Sequence, residues 1–294
     1  MSTKLILLPF LLFAFIYSDA QDLEDLISDD EDEEVVYTFA TFKTTRLVNG
    51  HSIEQAGKGV LDFKISHRFG PPESGRPFYN FLGLDQANIR LGLEYGVTDR
   101  LMIGVGRSKD PGKAYDGFLK YKVLRQSSGA GNMPITMSYF ASAVVKTADF
   151  ANPTKDYPSS ARWYYTHQLL IARKFNERLS LQISPTLVHR NLVATMSESN
   201  DVLACGIGGR YMITGGVSLN LEYYYVLPDQ LSDDYYHSLA IGFDIETGGH
   251  VFQLHFTNSI GMNEPAFITE SNTPFDGTGI RFGFNLSRVF TLVR

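Results

Sequence analysis

The chain has 294 residues, a formal net charge of −6 and a single cysteine, Cys205. One cysteine excludes an intrachain disulfide and a cysteine zinc site, and its distance from the N-terminus excludes a lipid-modified mature terminus. No basic run or recognition-helix pattern marks a nucleic-acid partner, and no apolar stretch after the N-terminus approaches a transmembrane helix in length.

Residues 1–20 read as an export signal. Lys4 precedes an apolar run from Leu5 to Tyr17, and the small residues Ser18 and Ala20 flank Asp19. Cleavage is expected before Gln21, since the run is too short for a comfortable membrane anchor. Residues 21–34 hold nine acids and no base. Beyond residue 34 the chain has 25 bases against 22 acids, so the negative charge resides in this stretch. Like charges at this density predict a solvated, disordered tail. The stretch lacks the spacing and glycine of a calcium loop.

Residues 35–58 are the odd piece. Val36–Arg46 has the threonine and aromatic content of a strand, and Asn49-Gly50 is a turn signal.

From Val60 onward twelve runs alternate between apolar and polar or small residues. The pair at Ala87–Arg107 sets the pattern. Ile89, Leu91, Leu93 and Tyr95 share one parity, against Asn88, Arg90, Gly92 and Glu94. After a short turn, Leu101, Ile103 and Val105 alternate with Met102, Gly104 and Gly106. Successive strand side chains point to opposite faces, so each run has one greasy and one polar face. The other runs are Val60–Phe69, Tyr115–Val123, Ile135–Val145, Arg162–Phe175, Leu179–Arg190, Val202–Tyr211, Val217–Tyr225, Leu239–Ile245, Phe252–Thr257 and Ile280–Leu292.

Connectors alternate in length. Gly70–Asp85, Arg107–Ala114, Thr147–Ser160, Asn191–Asn200, Pro228–Tyr235 and Ser259–Asp276 are the long ones, and those between them are mostly short, with Gln126–Met133 the exception. Short turns on one side and long loops on the other is the wiring of an outer-membrane barrel. The fold class is therefore all-β: a transmembrane antiparallel up-and-down barrel of about twelve strands over residues 59–294. An even count places both barrel ends on the short-turn, periplasmic side. A thirteenth strand would break that wiring, so residues 35–58 are expected to cap the periplasmic mouth or to enter the lumen as a plug.

The polar face carries Asp62, Lys64, Arg68, Arg90, Glu94, Asp116, Lys120, Lys122, Arg162, Arg210, Glu222, Asp244, Glu246 and Arg281, while the greasy face has almost no charge before the strand ends. Aromatic residues gather near greasy strand ends, at Phe69, Tyr95, Tyr115, Tyr165, Phe175, Tyr211 and Tyr225. Interfacial aromatic girdles have this look. Backbone polar groups in hydrocarbon need partners, so the sheet must close. The polar face is then the lumen.

The stretches TFKTTRLVNGHSIE, ISHRFG, FLGLDQANIRLGLEYGVTDRL, VGRS, YDGFLKYKVLRQ, HQLLIARKFNERLSLQISPTLVHRN and EYYYVLPDQ resemble a Bacteroidota family of outer-membrane β-barrels known only as a domain of unknown function. The resemblance runs from about Thr38 to the C-terminus. It implies the barrel fold and the outer membrane of a diderm bacterium, and brings no substrate or catalytic residue.

Two functional readings stand side by side. In one, a narrow polar pore passes small polar solutes, with Lys64, Arg68, Arg90, Lys120 and Lys122 giving a mild anion preference. In the other, paired charges fill the lumen and the barrel serves as a scaffold or a binding platform through its outer loops. Membrane lipid is the expected partner of the outer face. A lipid-acting enzyme is a distant third. His67 and His189 have the greasy parity, but Ser66 points to the other face and His189 should lie beside Tyr165, leaving no nucleophile within reach of a base. Gly206-Ile207-Gly208-Gly209 lacks the strand-to-helix context of a dinucleotide site. No cofactor or metal pattern is found.

Overall fold

The computed structural model describes residues 34–72, 78–79, 81–109, 111–150, 152–248, 250–276 and 279–293. The expected signal and all of the acidic stretch but Glu34 lie outside the described residues.

Twelve strands close into one antiparallel barrel. They are β1 (Val60–Phe69), β2 (Ala87–Gly96), β3 (Leu101–Ser108), β4 (Ala114–Leu124), β5 (Thr136–Lys146), β6 (Trp163–Lys174), β7 (Leu179–Arg190), β8 (Asp201–Met212), β9 (Val217–Val226), β10 (Ser238–Thr247), β11 (His250–Thr257) and β12 (Arg281–Thr291). Each pairs with its chain neighbours, and β12 closes on β1 with Leu286 opposite Ile65. No helix among the described residues is long and apolar enough to cross a membrane.

The alternation in sequence becomes an inside-out distribution of polarity. On β2, Asn88, Arg90 and Glu94 are buried, while Ile89, Leu91 and Leu93 are exposed. The same holds around the ring, with Lys64, Lys120, Arg210 and Glu222 inside and Ile103, Leu169, Ile183, Phe243 and Leu254 outside. Water would penalise such a surface; a bilayer matches it. One register shift, between Lys122 and Leu124, bulges the end of β4 and leaves Lys122 half-buried at the short-turn end. The connector from β3 to β4, expected to be long, shrinks to residues 109–113.

The lumen is filled from both ends. Expected as strand-like, Val36–Arg46 pairs as a strand only at Val36–Tyr37, against Ser127–Ser128 in the β4–β5 connector. The chain then climbs into the barrel and doubles back as a hairpin. Ser52 N donates to Thr45 O at 3.0 Å, Leu47 N donates to Gly50 O at 2.9 Å, and Arg46 bridges His51. Asn49-Gly50 forms the tip. Residues 45–53 are all buried. The climbing limb finds its hydrogen-bond partners on lumen side chains rather than on a neighbouring strand, which is why it is bent. The returning limb leaves past Gly96 and enters β1 through Gly59, whose φ of +74° suits glycine.

From the opposite end, the β11–β12 connector turns inward instead of standing outside as a plain loop. It carries a short helix, α1 (Glu264–Thr269), every residue of which is buried. Asn263 caps it by accepting from Ala266 N at 3.2 Å. Phe267 meets Tyr224 edge to face at 5.1 Å, within a cluster of Val188, Val202, Ala204, Val226 and Ile268. Replacing Asn263 with alanine removes the cap and should lower the stability of this connector by about 1 kcal/mol, read as a faster cleavage of the connector by added protease in the folded barrel.

Candidate functional site

The lumen is where the charged residues converge, and the hairpin is what they hold. At its tip, successive backbone N–H groups of Val48, Asn49 and Gly50 donate to the Glu222 carboxylate of β9 at 3.2, 3.1 and 3.0 Å. The Asn49-Gly50 turn points these donors one way, and a buried carboxylate with two oxygens is the natural partner. The carbonyls of the hairpin are met as well. Asn285 donates to Val48 O at 2.9 Å and Gln182 to His51 O at 2.8 Å. Gln253 donates to Leu47 O. Lys120 Nζ donates to Ser52 O at 2.9 Å and to Glu54 O at 2.5 Å. Arg68 binds the side-chain oxygens of Asn49 and Asn285 at 3.0 and 3.1 Å. Lys64 binds Thr44 at 3.0 Å and pairs with Asp62 at 2.8 Å.

Arg46 joins the two plugs. Its guanidinium lies 3.8 Å from Glu94 of β2 and 3.1 Å from Glu264 of α1, and donates to Asn49 O at 3.0 Å. Thr45 donates to the other oxygen of Glu94 at 2.5 Å. His51 lies 3.8 Å from Glu264, with its ring against Phe118 and Phe140 at 4.5 and 4.4 Å. The tip also touches the outer end of the wall, where Asn49 donates to Thr257 at 3.3 Å.

Most lumen residues expected from the sequence therefore lie inside. Asp62, Lys64, Arg68, Glu94, Lys120 and Glu222 touch the hairpin or its immediate partners. Arg90 faces inward but binds the wall, gripping Asp116 through two nitrogens at 2.9 and 2.5 Å. Asp244 accepts from Gln253 at 2.7 Å. Arg281 is buried at the start of β12. Lys122 sits half-buried at the short-turn end. Arg162 departs from expectation. It lies in a 3-10 turn ahead of β6, donates to Lys146 O and Ala148 O at 3.2 and 2.6 Å, and stacks on Phe150 at the rim. Its parity pointed inward, but the chain is not yet extended there.

Residues with no charge complete the site. Leu47, Phe42, Ile53 and Ala56 of the hairpin pack on Met102, Phe118, Phe140, Leu170 and Ala172 of the wall. Gly206 and Gly208 leave room. A Cβ on Gly206 would strike the Tyr224 ring, and one on Gly208 would strike Leu47. The signal for this was present in the sequence as apolar residues at inward parity, which a water-filled lumen would not favour.

The two histidines weighed for catalysis have other occupations. His189 contacts Asp201 at 2.6 Å and Asn191 at 3.2 Å and lies opposite Tyr165. His67 stacks on Phe284 at 5.1 Å. Among the described residues no group of His, Cys, Asp and Glu is placed to hold a metal.

The model of a family described as Membrane bound beta barrel domain (DUF5777) matches residues 42–290, a span that takes in both the hairpin tip and α1. No curated protein matches the sequence. Among solved structures, the NanC porin is 9% identical with a TM-score of 0.49, covering 79% of this chain and 100% of its own. An outer membrane channel from Pseudomonas putida F1 is 13% identical with a TM-score of 0.40, over 81% of this chain and 97% of the other. The Acinetobacter baumannii outer membrane protein Omp33 is 8% identical with a TM-score of 0.42, over 80% and 100%. Likeness at this level transfers no residue role and no activity.

Proposed function

This chain belongs to the membrane bound beta barrel domain family, and from that premise we propose that it is an outer-membrane barrel that carries its own gate, a route for small polar solutes closed by its N-terminal hairpin. In this reading residues 1–20 direct export and are removed, and residues 21–34 hang on the periplasmic side below the hairpin.

The observation that carries the reading is the Glu222 contact with the hairpin tip. The tip is held by hydrogen bonds between its backbone and wall side chains, and water can replace such bonds when the hairpin withdraws. What withdrawal would leave behind is a wall bearing Lys64, Arg68, Lys120 and Glu222, which water solvates readily. Twelve strands enclose more space than the eight that side chains alone can fill. The inward-folded α1 connector closes the other half, and this favours a second reading, a permanently closed barrel that presents its outer loops as a platform.

Single-channel conductance in a planar bilayer separates the two. Three folded proteins are compared: the chain from Gln21 onward, a variant lacking residues 21–58, and that variant with residues 260–272 also replaced by a glycine-serine linker. Heat-modifiable mobility and β-type circular dichroism confirm folding. Rare openings in the first, frequent small steps in the second and full steps in the third are expected. Silence in both truncations would overturn the gate in favour of the platform, and constitutive full steps in the first would show that the hairpin does not close the route.

A further inference from the structure

We infer that the short-turn end of the lumen carries a binding site for a small monoanionic oxyanion, a carboxylate above all, centred on Arg210. The site is independent of whether the barrel conducts.

Arg210 of β8 stands directly between Ser180 of β7 and Asn220 of β9 in the register of the wall. All three face inward, and none is more than 1% exposed. Among the described residues, no nitrogen of the Arg210 guanidinium has a hydrogen-bond partner. Neither amide atom of Asn220 has one, nor does the Ser180 hydroxyl. Six polar atoms of three adjacent side chains are thus unpaired at one place.

Three other buried arginines of the barrel are answered. Arg90 binds Asp116, Arg190 binds Glu198, and Arg68 binds two amide oxygens through its terminal nitrogens. Leaving a guanidinium covered and unanswered is costly, and native interiors avoid it unless a further group completes the site. What completes this one is set by its donors. A guanidinium offers a planar fork matched to a carboxylate, the Asn220 amide adds two N–H groups, and Ser180 adds a hydroxyl. Donors far outnumber acceptors, so the missing partner is an anion with at least two oxygens.

The surroundings set its charge. Glu54, Asp244 and Glu177 all act on Arg210 through space. Glu54 is engaged with Phe42 N at 3.2 Å, Asp244 is engaged with Gln253 at 2.7 Å and lies beside the Asn220 amide, and neither carboxylate forms an ion pair with Arg210. These carboxylates disfavour a dianion, which leaves a monoanion as the better guest. Position fits access. Arg210 lies two residues from the end of β8 and two residues below Gly208, where Leu47 of the hairpin packs. The site is therefore beneath the hairpin tip, near the short-turn mouth.

The test is thermal unfolding of the folded full chain in detergent, followed by heat-modifiable mobility, with sodium acetate exchanged for sodium chloride at constant ionic strength and neutral pH. A ligand that binds only the folded state raises the midpoint with concentration. The wild-type midpoint is expected to climb with acetate, and to climb less with sulfate, which is dianionic at that pH. Arg210→Met is expected to start higher, since it removes an unanswered buried charge, and to be flat against acetate. Asn220→Ala keeps the charge and should require at least tenfold more acetate for the same shift, which preserves the test if Arg210→Met fails to fold. A flat wild-type response, or the same acetate response in Arg210→Met as in wild type, would overturn the site. No current is measured, so failure here and failure of the gate are separate results.

Discussion

Glu222→Leu is expected to release the hairpin tip and to raise the withdrawn population about 100-fold. Three backbone N–H groups, of Val48, Asn49 and Gly50, end on this one carboxylate. Each buried N–H left without a partner costs about 1–3 kcal/mol, and water drawn into the gap recovers part of that. A net loss of about 3 kcal/mol corresponds to roughly two decades in the closed-to-withdrawn ratio. The readout is thiol labelling of Ser52→Cys in a Cys205→Ser background. Ser52 is fully buried in the returning limb, so its labelling rate reports the population in which the hairpin has left the wall. Glu222→Gln, which keeps one acceptor oxygen, should fall between wild type and leucine. Equal labelling rates in all three proteins would refute the role assigned to the carboxylate. In the bilayer the same variants should rank in the same order by open probability.

The second large effect is expected at Arg46. This residue answers Glu94 on the wall and Glu264 on α1 at once. Arg46→Met takes the ion-pair partner from both carboxylates in a closed lumen, leaving Glu94 its Thr45 hydrogen bond, and removing one partner of a buried ion pair typically costs about 3–5 kcal/mol. Labelling at Ser52→Cys should rise at least as much as with Glu222→Leu. Cleavage of the α1 connector by protease should rise with it, because the hairpin is part of the floor on which α1 rests. Combining Arg46→Met with Glu264→Gln removes one of these two carboxylate charges, so the double variant should be less perturbed than the sum of the singles. Additive effects would mean that hairpin and connector are held independently. A connector insensitive to Arg46→Met would mean the same.

How far each feature could be read in advance follows from the range of the interactions that make it. Alternation along a strand is local, so runs such as Ile89, Leu91 and Leu93 against Arg90 and Glu94 declared their two faces without any knowledge of neighbours. Connector lengths then gave the wiring. Even the turn at Asn49-Gly50 was visible, because a turn is set by a few adjacent residues. Arg162 misled because parity says where a side chain points only once the chain is extended, and Arg162 is the last residue of the 3-10 turn, with the strand starting at Trp163.

Tertiary structure decided what the inward charges do. Glu222 meets Gly50 across 172 positions of sequence, and Arg46 meets Glu264 across 218. Such partners exist only after the barrel has closed around the hairpin, and no periodicity encodes them. The inward apolar residues Phe118, Phe140 and Leu170 on one side, and Val188, Val202 and Val226 on the other, show the same division. The sequence by itself determined that these positions face the lumen, since strand parity is a property of the chain. Only closure decided that they would be covered, the first set by the hairpin and the second by α1, because burial of a lumen-facing side chain depends on what else folds into the same enclosed space.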